Sequence, residues 1–259
     1  MLVTTGGRTD KEWMETAIQI AADLKVPFVP RRKRSIAAMQ QEYQEDCLVV
    51  GKNRIELYEM TQDSPFFFHP NAAMLRLKRI KKGENDPLIE AADLKAGMSF
   101  LDCTLGLASD SIVASFIAGE TGSVSGIEAN PNLAFIVKRG LLQWDSANTD
   151  FNKAMRRINI QSGNHVEILK SMDSKSVDVI YFDPMFEETI KESNGIRALA
   201  GLALHETLTN EAIHEAKRVC SKRVILKDHF KSHRFNEFGF KVFKRKSSKF
   251  HFGVIELKE

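Results

Sequence analysis

From Asp86 to the C-terminus, short apolar runs alternate with segments of helical periodicity, and this alternation leaves few architectures open. Residues 99–103, 122–128, 158–161, 177–182 and 223–227 read as strands. Helices are expected over 88–94, 109–118, 133–142, 149–157 and 199–219. A helix between two strands of one sheet carries the chain back to its starting edge, so the strands pair in parallel. The expected fold class is therefore α/β, with a mostly parallel, doubly wound sheet. Residues 238–243 and 250–257 flank the basic turn 244–249 and read as a closing pair, which puts one antiparallel strand in that sheet.

A smaller α/β unit precedes this region. Residues 2–5, 47–50 and 55–60 have strand character, and Gly51-Lys52-Asn53-Arg54 reads as a hairpin turn. Thr9 or Asp10 can cap a helix running to about Lys25, with Trp13, Ala17, Ile20, Ala21 and Leu24 on one face. Ser35 can cap a second helix. The organisation expected is a small N-terminal domain over 1–62, a connector over 63–90 and a cofactor-binding domain over 91–259. The connector holds Ser64-Pro65-Phe66-Phe67-Phe68-His69-Pro70, a basic helix over 72–82 and the breaker Gly83-Glu84-Asn85-Asp86-Pro87.

Composition narrows the function classes. With 43% apolar and 27% charged residues, the chain has enough apolar surface for a core. No apolar run reaches membrane-spanning length and no signal-peptide pattern opens the chain, so a cytoplasmic location is expected. Cys47, Cys103 and Cys220 are far apart, and the histidines form no HExxH, so neither a disulfide framework nor a metal site is expected. The net charge of +3 is modest, but its distribution is uneven. Residues 227–249 hold eight Lys/Arg against two Asp/Glu, and Arg31-Arg32-Lys33-Arg34 is a second basic run. Such surfaces suit phosphate-rich partners, although each taken alone reads more readily as a solvated charged face.

In parallel sheets of this kind, ligands bind at the carboxyl ends of the strands. Four expected strand ends carry suitable chemistry. The first holds Asp102, Thr104, Gly106 and Asp110 in a small-residue loop that lets a ligand approach the backbone and the next helix's N–H groups. It is not GxGxxG, which disfavours a dinucleotide. The second ends on Glu128, whose carboxylate can accept the two hydroxyls of a ribose. The third is Ser162-Gly163-Asn164, where the Asn164 amide can meet an adenine edge or simply make a turn. The fourth, Asp183-Pro184-Met185-Phe186, is the most specific. The Asp183 carboxylate and the Pro184 carbonyl can accept the two hydrogens of an amine on a flat base, and Phe186 can stack on the ring. Proline has no N–H, so no donor is lost there.

With these residues in place, the chain resembles the class I methyltransferases, and more closely the bacterial 16S ribosomal RNA guanine-N2 methyltransferases of the J type and their Gram-positive relatives. The resemblance covers roughly residues 65–257. It is carried by Leu101-Asp102-Cys103-Thr104 with Gly106 and Asp110, by Glu128 with Asn130-Pro131, and by Tyr181-Phe182-Asp183-Pro184-Met185-Phe186. Arg197 and Lys222-Arg223-Val224-Ile225-Leu226-Lys227 extend it. It implies a Rossmann-like fold and S-adenosylmethionine as cofactor, in a cleft lined by Asp102, Gly106, Asp110, Glu128 and Asp183; the family's adenine-loop acid is not evident, and Asn164 in its place, with Thr104, completes the expected cofactor contacts. It further implies catalysis at Asp183, Pro184 and Phe186, and small-subunit ribosomal RNA as partner. Met185, Arg197 and Lys227 are the expected substrate contacts, with Arg31, Arg32 and Arg34 docking RNA from the N-terminal unit. The family's loop reads more like ATAGLGRD, whereas this chain has CTLGLASD over 103–110, so Leu105, Ala108 and Ser109 depart from it.

Three rivals stay open at this stage. One is a methyltransferase acting on a protein or a small molecule; a protein carboxylate, for one, has no need of the Asp183–Phe186 device. Another is a non-catalytic RNA-binding assembly factor on a relic fold, for which the altered loop speaks. A nucleotide-dependent oxidoreductase is the third, disfavoured by the missing GxGxxG.

Overall fold

The computed structural model describes residues 1–8, 10–52, 54–62, 64–184, 208–245 and 248–257, which form two compact units, one up to His69 and one from Pro70. The first unit is a four-stranded sheet, β1 (Leu2–Thr5), β2 (Cys47–Val50), β3 (Ile55–Tyr58) and β4 (Phe66–Phe67), in that spatial order. Strands β1 and β2 are parallel, joined through α1 (Lys11–Leu24) and α2 (Ile36–Tyr43), and the other pairs are antiparallel. Both helices start where a side chain takes an orphan N–H. Asp10 accepts from Trp13, and Ser35 accepts from Ala38. Leu2, Ile36, Met39, Cys47 and Val49 form a core on one side of the sheet. Strand β4 was not expected, because two residues are too short to show a period.

The second unit begins with α3 (Asn71–Ile80) and α4 (Pro87–Ala92). Then follow β5 (Ser99–Asp102), α5 (Ser109–Ala118), β6 (Ser123–Glu128), α6 (Pro131–Gln143), α7 (Thr149–Arg156), β7 (Ile158–Ser162), α8 (His165–Ser171) and β8 (Val177–Phe182). The described chain resumes with α9 (Asn210–Val219), β9 (Cys220–His229), α10 (Arg234–Glu237), β10 (Lys241–Phe243) and β11 (Phe250–Glu256). Among the described residues these strands form one sheet in the order β10-β11-β9-β8-β5-β6-β7. Strands β5 to β9 pair in parallel, and β11 is antiparallel to both neighbours. This is the Rossmann-like arrangement expected, with one antiparallel strand. Leu101, Ile180, Phe182, Val224 and Leu226 are buried in its core, as continuous apolar runs covered on both faces require.

The order of strands sets the site. Chain reversal between β5 and β8 makes β5 the first strand of one half and β8 the first of the other. Asp102, Glu128 and Phe182 therefore end adjacent strands at one rim, at the switch point. Some boundaries differ from expectation. The helix expected over 199–219 lies partly outside the described residues. Its described part starts at Asn210, because the Thr209 hydroxyl accepts the Ala212 N–H and ends the preceding extended chain. Strand β10 begins at Lys241 rather than at 238, after Gly239 turns the chain with φ of +77°. Among the described residues no helix is long and apolar enough to cross a membrane.

Candidate active site

The loop after β5 is built on Asp102. The side chain is buried, with one oxygen accepting the Thr104 N–H at 3.0 Å and the other the Ser111 hydroxyl at 2.7 Å. The Thr104 hydroxyl in turn accepts the Asp183 N–H at 2.6 Å, tying the loop after β5 to the loop after β8. Gly106 has φ of +49° and donates its N–H to the Glu128 carboxylate at 3.1 Å. The other Glu128 oxygen accepts the Asn130 N–H at 2.9 Å. Asp102, Thr104, Gly106 and Glu128 are thus brought together at the rim, each held by a backbone contact.

Two departures in this loop have physical consequences. Leu105 is buried against Gly126 of β6, where an added Cβ would lie 2.3 Å from the Leu105 side chain. The larger loop residue is thus accommodated by a strand position without a side chain. Ala108 sits before α5 with φ of +58°, a left-handed conformation that costs an L-residue about 1 kcal/mol. No side chain caps that helix start. Ala108→Gly should therefore raise the unfolding free energy by about 1 kcal/mol, read by urea denaturation. A loss of stability would show that the loop is not strained there.

Asn164 lies at the start of α8, where its Oδ1 accepts the Val166 and Glu167 N–H groups at 2.8 and 3.3 Å. That carbonyl serves as a helix cap, a use the sequence did not reveal. Helix α8 itself was not expected. It is seven residues long, and His165-Val166-Glu167-Ile168 carries β-branched residues that weaken a helical signature.

Under the rim runs a chain of charges that joins α3, α4, α5, β8 and β9. Arg76 of α3 makes two 2.8 Å bonds to Asp86, whose carboxylate also caps α4. Its other terminal nitrogen is hydrogen-bonded to Asp110 in the first turn of α5. Asp110 accepts the Tyr181 hydroxyl at 2.9 Å and lies 3.5 Å from the Lys227 ammonium. Lys227 donates to Asp183 Oδ2 at 2.5 Å. Asp183 Oδ1 is buried with no hydrogen-bond partner among the described residues. Arg76 and Tyr181 escaped the sequence reading, since their partners lie 34 and 71 positions away. The available signal for Arg76 was its place beside the apolar positions Ala73 and Leu77 of α3. Lys227, expected as a phosphate or base contact, has its ammonium directed at the two carboxylates instead.

This crowding moves the titrations. Burial pushes Asp102 up to about 7, with Asp110 and Asp183 adding to the rise and Ser111 opposing it. Burial also raises Asp183, against the pull of the Lys227 ammonium. Lys227 is itself raised, because Asp110 and Asp183 outweigh the burial that would lower it. For a carboxylate raised on folding, stability is highest below the unfolded value near 4 and falls as pH rises towards the folded value. Asp102→Asn removes that ionisation while keeping an acceptor for the Thr104 N–H. Its stability relative to the wild type should therefore improve between pH 4 and pH 8, in thermal melts compared at each pH. A difference independent of pH would place Asp102's ionisation outside this window.

Met185, Phe186 and Arg197 lie outside the described residues, and Pro184 is buried next to Asp183. In the N-terminal unit, Arg34 donates to the Pro30 and Arg31 carbonyls and pairs with Glu42. Arg31 donates to the Arg34 carbonyl. Arg32 and Lys33 are exposed and left-handed, so they present the outward charge of that turn.

A parallel sheet with one reversed strand, an acidic residue ending β6 and Asp183-Pro184 directly after β8 define a class, and comparison with known proteins gives it a family. Residues 32–251 match the family described as "Putative SAM-dependent methyltransferase", and the chain belongs to it. Its cofactor is S-adenosylmethionine. The chain is 47% identical over 255 residues to the uncharacterized protein YpiP of Bacillus subtilis strain 168, covering 98% of this chain and 99% of that one. It is 27% identical over 195 residues to ribosomal RNA small subunit methyltransferase J of Pseudomonas fluorescens strain Pf0-1, covering 71% and 72%. The corresponding protein of Alteromonas mediterranea is 26% identical over 160 residues, and this chain spans 60% of its length. A solved SAM-dependent methyltransferase from Neisseria gonorrhoeae shares the fold, with a TM-score of 0.61, 18% identity and coverage of 99% and 96%.

The described residues fit the cofactor. Glu128 stands at the end of β6, and Gly106 carries no side chain where the β5 loop turns. The uncapped start of α5 presents N–H groups suited to a carboxylate.

Proposed function

We propose that the protein transfers a methyl group from S-adenosylmethionine to the exocyclic N2 amine of a guanine in small-subunit ribosomal RNA. The observation that carries this reading is Asp183. One oxygen is held by Lys227, and the other is buried without a donor among the described residues. A buried carboxylate oxygen left unpaired costs stability, and an amine N–H from a substrate supplies the missing partner. The names of the J-type relatives support RNA as the acceptor.

Glu128 is assigned the ribose hydroxyls, Asp102, Thr104 and Gly106 the loop against the methionine portion, and Asn164 the adenine end. Asp110 anchors the site through Arg76, Tyr181 and Lys227. Bound S-adenosylmethionine supplies an electrophilic methyl on a sulfonium that departs as a neutral thioether, so no acid from the protein is required. The protein's work is placement and charge. An exocyclic amine is a weak nucleophile because its lone pair is delocalised into the ring. Asp183 Oδ1 and the Pro184 carbonyl accept its two hydrogens and turn the lone pair outward. As the N–C bond forms and the C–S bond breaks, positive charge grows on the nitrogen, and the Asp183 carboxylate stabilises it. Burial raises Asp183's affinity for a proton, which suits it to take the one the nitrogen then loses. Phe186 stacks on the base, and Met185 and Arg197 contact the substrate.

The N-terminal unit, residues 1–62, is assigned to RNA docking through the turn at Arg31, Arg32 and Arg34, with Arg32 facing outward. The test of the whole reading is incubation of the protein with methyl-labelled S-adenosylmethionine and small-subunit RNA, followed by nucleoside analysis. Label in N2-methylguanosine is expected. Label in protein or a small metabolite, or none with the cofactor bound, would transfer support to the rival readings.

A further inference from the structure

The second unit carries a group of aromatic and basic side chains that the catalytic site does not use. In the register of β9, β11 and β10, Lys227, Phe252 and Phe243 lie directly opposite one another, and His229 lies opposite Phe250. Opposite residues, and residues two apart on a strand, project from the same face. The row that begins at Lys227 therefore passes through Phe252, which is buried, and ends at Phe243 on the edge strand. Phe243 on that edge is 42% exposed. Where β9 ends, the His229 ring meets Phe230 at 4.6 Å and Phe250 at 6.4 Å between centroids, and Phe230 meets His251 at 6.1 Å. Phe230 is 46% exposed, with the Lys231 ammonium 5.5 Å from its ring centroid. Arg245 stands 5.9 Å from the Phe252 ring centroid.

Charge at this patch is of one sign. Lys231, Lys244 and Lys249 are exposed, and among the described residues neither they nor Arg245 pair with a carboxylate. Large aromatic rings at a water-facing edge have no folding benefit in that position, and a hairpin that served only as an edge cover would keep them inside. The exposed rings of Phe230 and Phe243 among these cations match one chemistry well: bases that stack while phosphates follow the positive charge. An apolar protein partner would not need four unpaired cations around the rings.

We propose that the outer edge and end of β9, β11 and β10, centred on Phe230 and Phe243 with Lys231, Lys244, Arg245 and Lys249, is a stacking platform for single-stranded RNA flanking the target nucleotide. The proposal rests on the reading of the protein as an RNA methyltransferase. It deepens that reading by specifying an unpaired strand beside the target base. Phe230 follows directly on β9, whose Lys227 holds Asp183, so the platform lies close along the chain to the carboxylate assigned to the amine.

The test measures binding of a short single-stranded RNA of mixed sequence, and of its duplex, by fluorescence anisotropy over a range of salt. The wild type is compared with Phe230→Ala/Phe243→Ala and with Lys231→Gln/Lys244→Gln/Lys249→Gln. The aromatic variant should bind the single strand about tenfold or more weakly, with an unchanged salt slope and unchanged S-adenosylmethionine affinity. The lysine variant should show a shallower salt slope. A single-strand affinity unaltered in the aromatic variant, or a change only in self-association, overturns the platform while leaving RNA as substrate. Failure of the wild type to bind either RNA overturns both the platform and the RNA reading.

Discussion

Asp183→Asn is expected to lose methyl transfer as completely as Asp183→Ala, by about 10²- to 10³-fold in kcat, the scale for removing one group aimed at developing charge. Shape alone would suggest a milder result, since the amide is nearly isosteric with the carboxylate. Lys227 decides otherwise. Its ammonium, 2.5 Å from Oδ2, draws the amide carbonyl towards itself and turns the NH₂ to the Oδ1 position. A donor then faces the substrate amine where an acceptor is required. Adding Lys227→Met to Asp183→Asn frees the amide to rotate, and part of the activity should return. S-adenosylmethionine affinity should change little in the single variants, because Asp183 acts on the amine. Single-turnover rates and cofactor titrations on the three variants read these effects separately. Full activity in Asp183→Asn would mean that Oδ1 is not the acceptor.

Arg76→Met should be the most destabilising substitution in the catalytic unit, by about 3–5 kcal/mol, because removing one partner leaves buried charges uncompensated. Two carboxylates are affected at once. Asp86 is 5% exposed at its side chain and loses a bidentate partner while still capping α4, and Asp110 is 15% exposed. Asp110 is held below the ordinary carboxylate range; burial would raise it, but Lys227 and Arg76 outweigh that. A group depressed on folding stabilises the protein above its unfolded value and loses that contribution as pH falls through the folded one. The wild-type advantage over Arg76→Met should therefore be full above about pH 5 and shrink in acid. Equilibrium urea unfolding at pH 4 and pH 7 measures both. A loss below about 1 kcal/mol at pH 7 would reduce the network to an ordinary surface ion pair.

Much of the fold was legible because its signals are local. Val177–Phe182 is a continuous apolar run and forms β8 with those bounds, and Ser109–Ala118 forms α5 as expected. Asp10, Ser35 and Pro131 marked helix starts through chemistry confined to one turn. The two-residue β4 and the four-residue α10 carry too few positions for periodicity to register, and the β-branched Val166 and Ile168 weakened the signature of α8. The site was legible in its strand-end carboxylates, since strand order fixes where they meet. The partners that govern those carboxylates were not. Lys227 read as a phosphate contact because lysine near a basic hairpin looks like surface charge; only the β8–β9 pairing puts it beside Asp183. Arg76 sat in a basic helix and gave no sign of Asp110. The altered loop likewise could not be judged until Leu105 was seen filling the space above Gly126.

The most direct test of the central claim is nucleoside mapping of small-subunit ribosomal RNA from a strain lacking this protein. The same strain should be complemented with the wild type and with Asp183→Ala. One N2-methylguanosine should be missing in the deletion strain, restored by the wild-type chain and absent with Asp183→Ala. An unchanged set of methylated guanosines in the deletion strain, or restoration by Asp183→Ala, would contradict it.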